Sequence, residues 1–104
     1  MAGFYRDAAG GEITHADDES AWVGLGGTTW VFRRIEDYRA PTWPSSEVPV
    51  QVHMDFSVDD LDAAEEQLHA LGATTPEYQP HDRALGLVVL LDPAGHPFCI
   101  AQRR

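Results

Sequence analysis

His53 and Asp55 lie in the most regular strand pattern of the chain, Val50 to Val58, where apolar and polar residues alternate without a fault. Their spacing puts both side chains on one strand face, together with Gln51. A histidine there can act as a general base, with a carboxylate to orient it. Neighbouring side chains on one strand face stand about 6.5–7 Å apart, so we expect no hydrogen bond between the two. The alternative interpretation is a polar face that simply meets water.

Three further residues are candidates for ligand binding. Arg33 can bind an anionic or carbonyl-bearing ligand, or can pair with one of the chain's many acids. Trp30, like Trp22 and Trp43, can stack on a flat ligand, although tryptophans in so small a domain usually belong to the core or to an interface. Cys99 is the only cysteine, which excludes an internal disulfide. Its sequence neighbours favour a small buried apolar group rather than a nucleophile. The histidines expected in exposed turns receive no function: His15, His81 and His96.

A helix must follow the alternating strand and cover its apolar face. Asp59 is the predicted cap, with Asp62 at a capping-box-like spacing. Leucines and alanine then recur at helical spacing from Leu61 to Leu71, and Gly72 provides the stop. The amphipathic pattern therefore predicts a strand followed by a helix over residues 50–71.

The rest of the second half predicts three strands. Residues 73–78 form a short strand that Pro76 marks as an edge or a bulge. Residues 85–91 form a stronger strand, and a turn at Asp92 to Gly95 returns the chain as a hairpin partner over 97–102. Residues 50–104 thus form a β-α-β-β-β unit.

The first half repeats this plan at an offset of 62 residues. Residues 4–9 predict the end of a helix, and residues 12–14, 21–25 and 28–35 predict strands. The offset places the counterpart of the strand at 50–58 before Met1, so the first unit, residues 1–35, lacks its opening strand. Three prolines indicate an extended connector over 36–49. We predict an α+β fold in a single domain, residues 1–104.

Composition restricts the partners. The formal charge of −10 has the wrong sign for neutralising phosphates, which argues against nucleic acid. No apolar run approaches the roughly 20 residues of a membrane span, and the N-terminus lacks a signal-peptide layout. We therefore expect an acidic cytoplasmic protein. Its basic residues are all arginine, a bias that indicates a bacterium with a GC-rich genome.

The chain resembles the vicinal oxygen chelate superfamily, and within it the glyoxalase-like branch common in actinobacteria. The resemblance covers nearly the whole chain. It rests on these motifs: Phe4-Tyr5 with Gly10-Gly11; Pro41-Thr42-Trp43-Pro44; His53-Met54-Asp55 with Val58-Asp59-Asp60-Leu61; Leu71-Gly72-Ala73; and Asp92-Pro93-Ala94-Gly95-His96-Pro97-Phe98-Cys99.

This resemblance implies paired βαβββ modules around a concave sheet that encloses a ligand cavity. The missing opening strand leaves an open sheet edge, which predicts a homodimer in which a second copy covers it, or else residues upstream of Met1 that supply the strand. In metal-using members, ligands come from the first and last strands of each module. His53 matches one such position, but Arg33 and Cys99 occupy two others, and the fourth falls in the missing strand. An arginine cation does not ligate, and one cysteine with one histidine does not complete a site. We therefore expect no metal cofactor, with a divalent metal disfavoured.

Three functions remain open from the sequence. The first is a small-molecule binder resembling bleomycin-resistance proteins, which holds a metabolite-like or antibiotic-like ligand. The second is a metal-independent lyase, isomerase or cyclase that uses His53 or Asp55 for proton transfer. The third is a metal-dependent lyase or dioxygenase whose site a partner chain completes. The ligand-binding residues proposed from the sequence are Gln51, His53, Asp55, Arg33, Trp30 and Cys99.

Overall fold

The chain divides into two compact units, Met1–Tyr38 and Arg39–Arg104, in a computed structural model that describes residues 1–103. Each unit contains a three-stranded sheet and a helix in contact with it, which confirms the α+β class. The elements in chain order are α1 (Ala2–Ala9), β1 (Glu12–Ala16), β2 (Ser20–Leu25), β3 (Thr28–Arg33), β4 (Asp55–Val58), α2 (Leu61–Ala70), a short 3₁₀ helix (Arg83–Leu85), β5 (Leu87–Leu91) and β6 (Pro97–Gln102).

In the first unit, Tyr5 joins α1 to the antiparallel sheet β1-β2-β3. Its side chain is 2% exposed, and its ring stacks on Phe32 with the ring centroids 5.5 Å apart. Val23 is fully buried and lies opposite Trp30 in the sheet. This face of the sheet is therefore the core face. The helix ends at Gly10, whose φ of 71° is readily adopted only by glycine.

In the second unit, β6 is the central strand of the order β4-β6-β5. It runs parallel to β4 and antiparallel to β5. Phe98 and Ile100 of this strand are fully buried, as is Leu90 of β5. The ring of Phe56 meets that of Phe98 edge-on at 5.9 Å. Apolar burial on this face, which α2 covers with Leu61 and Leu68, forms the core of the unit.

Comparison of the two units confirms the missing strand. In the second unit the opening strand, β4, lies directly beside the last strand, β6. In the first unit the last strand, β3, pairs only with β2 among the residues that the structure describes. Among the described residues, the first module thus has a helix and three strands, and it has no counterpart of β4.

The alternating strand is shorter than the sequence predicts. It begins at Asp55 rather than Val50, and the inward-facing pattern is retained only from Met54 to Val58. Val50 and Val52 are 39% and 45% exposed, so their predicted burial is wrong. The physical reason is that β6 begins to pair with this segment only where the Cys99 amide donates to the Met54 carbonyl, at 2.9 Å.

The cap of α2 is one residue later than predicted. Asp60, not Asp59, is the cap: its backbone is extended, and its carboxylate accepts the Ala63 N–H at 3.0 Å. A carboxylate three residues before the amide is the usual capping geometry. The helix runs over Leu61–Ala70, and Gly72 follows with a φ of 109°, which confirms the predicted stop.

The strand predicted over residues 73–78 is wrong. Only a single bridge forms there, between Thr74 and Leu91. Pro76 cannot donate to a ladder, and Thr75 instead gives its hydroxyl to Glu65 of α2, at 2.6 Å. The strand predicted from residue 85 begins at Leu87, because the preceding residues form the 3₁₀ helix. The turn at Asp92 to Gly95 and the strand at 97–102 are confirmed.

The connector over residues 36–49 is not simply extended. Thr42 and Val48 close a loop, in which the Thr42 amide donates to the Val48 carbonyl and the Val48 amide donates to Thr42 Oγ1, both at 2.9 Å. Val48 is buried. The strand before the connector ends at Arg33 rather than Ile35. Neither helix in residues 1–103 has the length and apolar character needed to span a bilayer.

Candidate functional site

The candidate site lies on the face of the second unit's sheet that α2 does not cover. Asp55 of β4 pairs with Cys99 of β6 in parallel register. Phe56 and Phe98, their immediate neighbours, turn toward the core. Because side chains alternate along a strand, Asp55 and Cys99 share the opposite face.

His53 contacts Asp55 directly, so the prediction of no hydrogen bond between them is wrong. Its Nε2 lies 3.2 Å from Asp55 Oδ1. The expected separation assumed a regular strand at both residues, whereas the strand begins only at Asp55. His53 therefore lies outside the pleat, and its side chain can fold back toward the carboxylate. Their side chains are 46% and 69% exposed, so a ligand can reach both.

Cys99 lies beneath this pair and is buried. Burial raises the pKa of its thiol to about 11, and the adjacent Asp55 carboxylate contributes through its charge and a hydrogen bond. The thiol is therefore protonated near neutrality and is not an activated nucleophile. This agrees with the sequence interpretation of Cys99 as a buried group, but it adds a polar neighbour that the sequence did not reveal.

The three side chains bring one nitrogen, one oxygen and one sulfur donor within 4.8 Å of one another. Sequence reasoning identified His53 as the only retained ligand position of the family and missed this convergence. The signal that could have found it is the parallel pairing of the first and last strands of a βαβββ unit. The register that places Asp55 opposite Cys99 brings the two side chains together.

A divalent metal is the cofactor that the fold family implies, and the donor types test whether these residues fit it. Imidazole nitrogen, thiolate sulfur and carboxylate oxygen are the three ligand types of protein zinc sites. All three belong to one compact unit, so no residue of the first unit is needed to assemble them. The residues fit a thiophilic divalent ion. His53, Asp55 and Cys99 would hold it, and such an ion supplies Lewis acidity.

Gln51, another predicted ligand-binding residue, is engaged elsewhere. Its amide nitrogen donates to the Arg39 carbonyl at 3.2 Å, and its amide oxygen lies 3.4 Å from Nε2 of His96. The His96 side chain is only 14% exposed and lies 3.6 Å from the buried Asp92, so the expectation of an exposed His96 is wrong. The His96 contact links the segment before β4 to the β5–β6 turn, and the Arg39 contact links it to the connector over residues 36–49.

Arg33 and Trp30, the candidates in the first unit, lie on opposite faces of its sheet. Trp30 approaches Tyr5 of α1 with the ring centroids 6.1 Å apart, on the core face. Arg33 is exposed, ends β3, and makes no ion pair with a carboxylate among residues 1–103. By alternation it shares its face with Val31 and with Trp22, which is 42% exposed. Of the tryptophans that could stack on a ligand, Trp22 is thus an exposed one.

The comparisons with known proteins agree with this architecture. The family model for the glyoxalase-like domain matches residues 1–101. No curated protein sequence matches the chain significantly.

Several solved structures share the fold. One is a glyoxalase/bleomycin resistance protein/dioxygenase family enzyme from Burkholderia phytofirmans PsJN, with 19% identity and a TM-score of 0.69 over 98% of this chain and 87% of that chain. A glyoxalase/bleomycin resistance protein from Albidiferax ferrireducens T118 has 22% identity and a TM-score of 0.61 over 99% and 87%. The genomically encoded fosfomycin resistance protein FosX from Listeria monocytogenes has 15% identity and a TM-score of 0.66 over 97% and 79%. The family match and these shared folds together identify the chain as a member of the glyoxalase-like domain family, within the vicinal oxygen chelate superfamily.

Proposed function

We propose that this protein binds a small organic molecule on the helix-free face of the second unit's sheet. The observation that carries the proposal is the cluster of His53, Asp55 and Cys99, whose donor atoms lie within 4.8 Å of one another. In small-molecule sites, a few polar groups that converge on one place usually fix the orientation of the bound ligand.

The cluster also indicates what kind of ligand fits. The exposed imidazole and carboxylate offer a hydrogen-bond donor and an acceptor side by side, 3.2 Å apart. A polar metabolite or antibiotic-like molecule with hydroxyl, amide or carbonyl groups matches this pair. Structures with the same fold are named for bleomycin and fosfomycin resistance, which supports testing these two compounds first.

Amide chemical-shift mapping tests the proposal. Fosfomycin, bleomycin and a fragment library are added to isotope-labelled protein, and we expect saturable shifts at residues 53–57 and 97–101. His53→Ala and Asp55→Asn should weaken these shifts, and His81→Ala, an exposed histidine outside the cluster, should not. Saturable shifts confined to other surfaces, or none with any compound, would reject the assignment.

A second candidate function is metal-independent proton transfer, as in a lyase, isomerase or cyclase. The contact between His53 and Asp55 favours it, because a carboxylate that orients an imidazole is a recurrent general-base arrangement. Chelator-treated protein should then exchange the C3 protons of a 2-oxo acid panel, which lie next to the keto group, for deuterium, and His53→Ala should abolish the exchange. Equal exchange by wild type and variant would eliminate this candidate.

We also propose a homodimer. β3 pairs on only one side in the described residues, and an open strand edge tends to recruit another strand. A second copy can cover that edge by edge pairing or by exchange of a unit around a two-fold axis. Light scattering at micromolar concentration should report a dimer, and a stable monomer would contradict the proposal.

A further inference from the structure

We infer that His53, Asp55 and Cys99 bind a thiophilic divalent ion such as Zn²⁺, in preference to Mg²⁺ or Mn²⁺. Asp55 is the distinctive donor of this set, because it lies two residues beyond the only retained ligand position of the family, His53. The inference uses the same cluster as the proposed function, but it concerns an ion rather than an organic ligand.

The distances between the three donor atoms are short enough for one metal ion. Two ligand atoms on one tetrahedral zinc ion stand about 3.5 Å apart, given bond lengths of about 2.0–2.3 Å. His53 Nε2 and Asp55 Oδ1 are already 3.2 Å apart, and all three donor atoms lie within 4.8 Å. Small side-chain rotations are therefore enough to direct all three donors at one ion.

The chemical types of the three donor atoms determine which metal ion the cluster prefers. Mg²⁺ requires a near-octahedral shell of oxygen ligands, and this cluster offers only one carboxylate. A sulfur and an imidazole nitrogen instead favour Zn²⁺ and its substitutes Co²⁺ and Cd²⁺. The cluster should therefore bind a thiophilic ion in preference to an ion that needs only oxygen ligands.

The exposure of His53 and Asp55 gives an ion access to the cluster. Cys99 is buried at the base of the cluster, whereas the His53 and Asp55 side chains are 46% and 69% exposed. An ion can therefore enter from solvent and reach all three donors. Three protein ligands also leave a four-coordinate ion one position for a water or an organic ligand.

A Co²⁺ titration of the chelator-treated, full-length chain tests the inference. We expect visible ligand-field bands and a near-ultraviolet thiolate-to-cobalt charge-transfer band that saturate at one ion per chain. Equimolar Zn²⁺ should abolish both, and a large excess of Mg²⁺ should not. Cys99→Ser should remove the charge-transfer band, and Asp55→Asn should weaken binding by more than about tenfold.

Matched controls keep the result specific. Asp59→Asn and His81→Ala alter an exposed carboxylate and an exposed histidine outside the cluster, and they should leave the titration unchanged. Circular dichroism checks that each variant is folded. If Cys99→Ser does not fold, a Zn²⁺-dependent shift of the His53 ring nitrogens in the wild-type protein replaces that arm, and the shift must disappear in Asp55→Asn.

Absence of Co²⁺ binding, a spectrum without the thiolate band, or equal competition by Mg²⁺ would each overturn the inference. None of these results bears on the shifts that organic compounds cause at residues 53–57. Loss of metal binding with retained compound binding therefore rejects only the metal site. Compound shifts confined to other surfaces, with metal bound normally, reject only the proposed organic ligand.

Discussion

The side-chain amide of Gln79 pairs with both backbone groups of Val89. Its Nε2 donates to the Val89 carbonyl at 2.8 Å, and its Oε1 accepts the Val89 amide at 2.8 Å. This is the bonding that a neighbouring strand would provide at the open edge of β5. One side chain thus takes over part of the strand predicted at residues 73–78, and it protects that edge from pairing with other chains.

Gln79→Ala should therefore lower the free energy of unfolding by about 1–3 kcal/mol, because two partly buried backbone groups lose their partners. Gln102→Ala, which removes one exposed hydrogen bond to the Asp59 carbonyl, should change it by less than about 0.5 kcal/mol. Urea titrations measure both. Equal effects of the two substitutions would show that Gln79 is not the edge partner of β5.

Phe56→Ala should destabilise the protein far more than His53→Ala. Phe56 packs edge-on against the fully buried Phe98, so its truncation opens a cavity. Because Phe56 is only half-buried, the loss of unfolding free energy should be about 3 kcal/mol, at the low end of the range for phenylalanine-to-alanine substitutions. His53 is on the exposed face, and its truncation should cost less than about 1 kcal/mol. Equal losses of unfolding free energy in a denaturant titration would show that Phe56 and His53 do not lie on a buried and an exposed face, respectively.

Asp17 should titrate well below an ordinary aspartate. A hydrogen bond from His15 and the backbone amides of Glu19 and Ser20 lower its pKa from 3.8 to about 2. A lowered folded-state pKa stabilises the fold above pH 3.8, and that contribution disappears as the pH falls from 3.8 to about 2. Carboxyl-carbon NMR measures the midpoint. A midpoint near 3.8 would show that these contacts do not persist in solution.

The Cys99 thiol of metal-free protein should resist alkylation until strongly alkaline pH. Its pKa is raised from 9.0 to about 11, chiefly by burial and further by Asp55. Because the unfolded chain ionises first, stability should fall as the pH rises from 9.0 to about 11. Iodoacetamide rates against pH report the midpoint. Asp55→Asn should move it to lower pH, and Asp59→Asn should not; identical profiles for all three proteins would contradict the assigned cause.

The sequence by itself determined the elements with strong local signals. Helix α2 follows from leucines at helical spacing, and the β5–β6 hairpin follows from the turn at Asp92 to Gly95. Both rest on contacts between residues near in sequence, which local periodicity and turn chemistry encode. The truncated first module was predictable for a related reason, since an internal repeat is visible in the chain itself.

Tertiary structure alone decided which residues meet. The strand predicted at residues 73–78 is replaced by a bridge and by Gln79, because Thr75 bonds to a carboxylate of α2 instead of extending the sheet. The convergence of Asp55 and Cys99 depends on parallel pairing between strands 44 residues apart in register. No local pattern encodes that register. It depends on how α2 packs on the sheet and on where the β5–β6 hairpin places β6 beside β4.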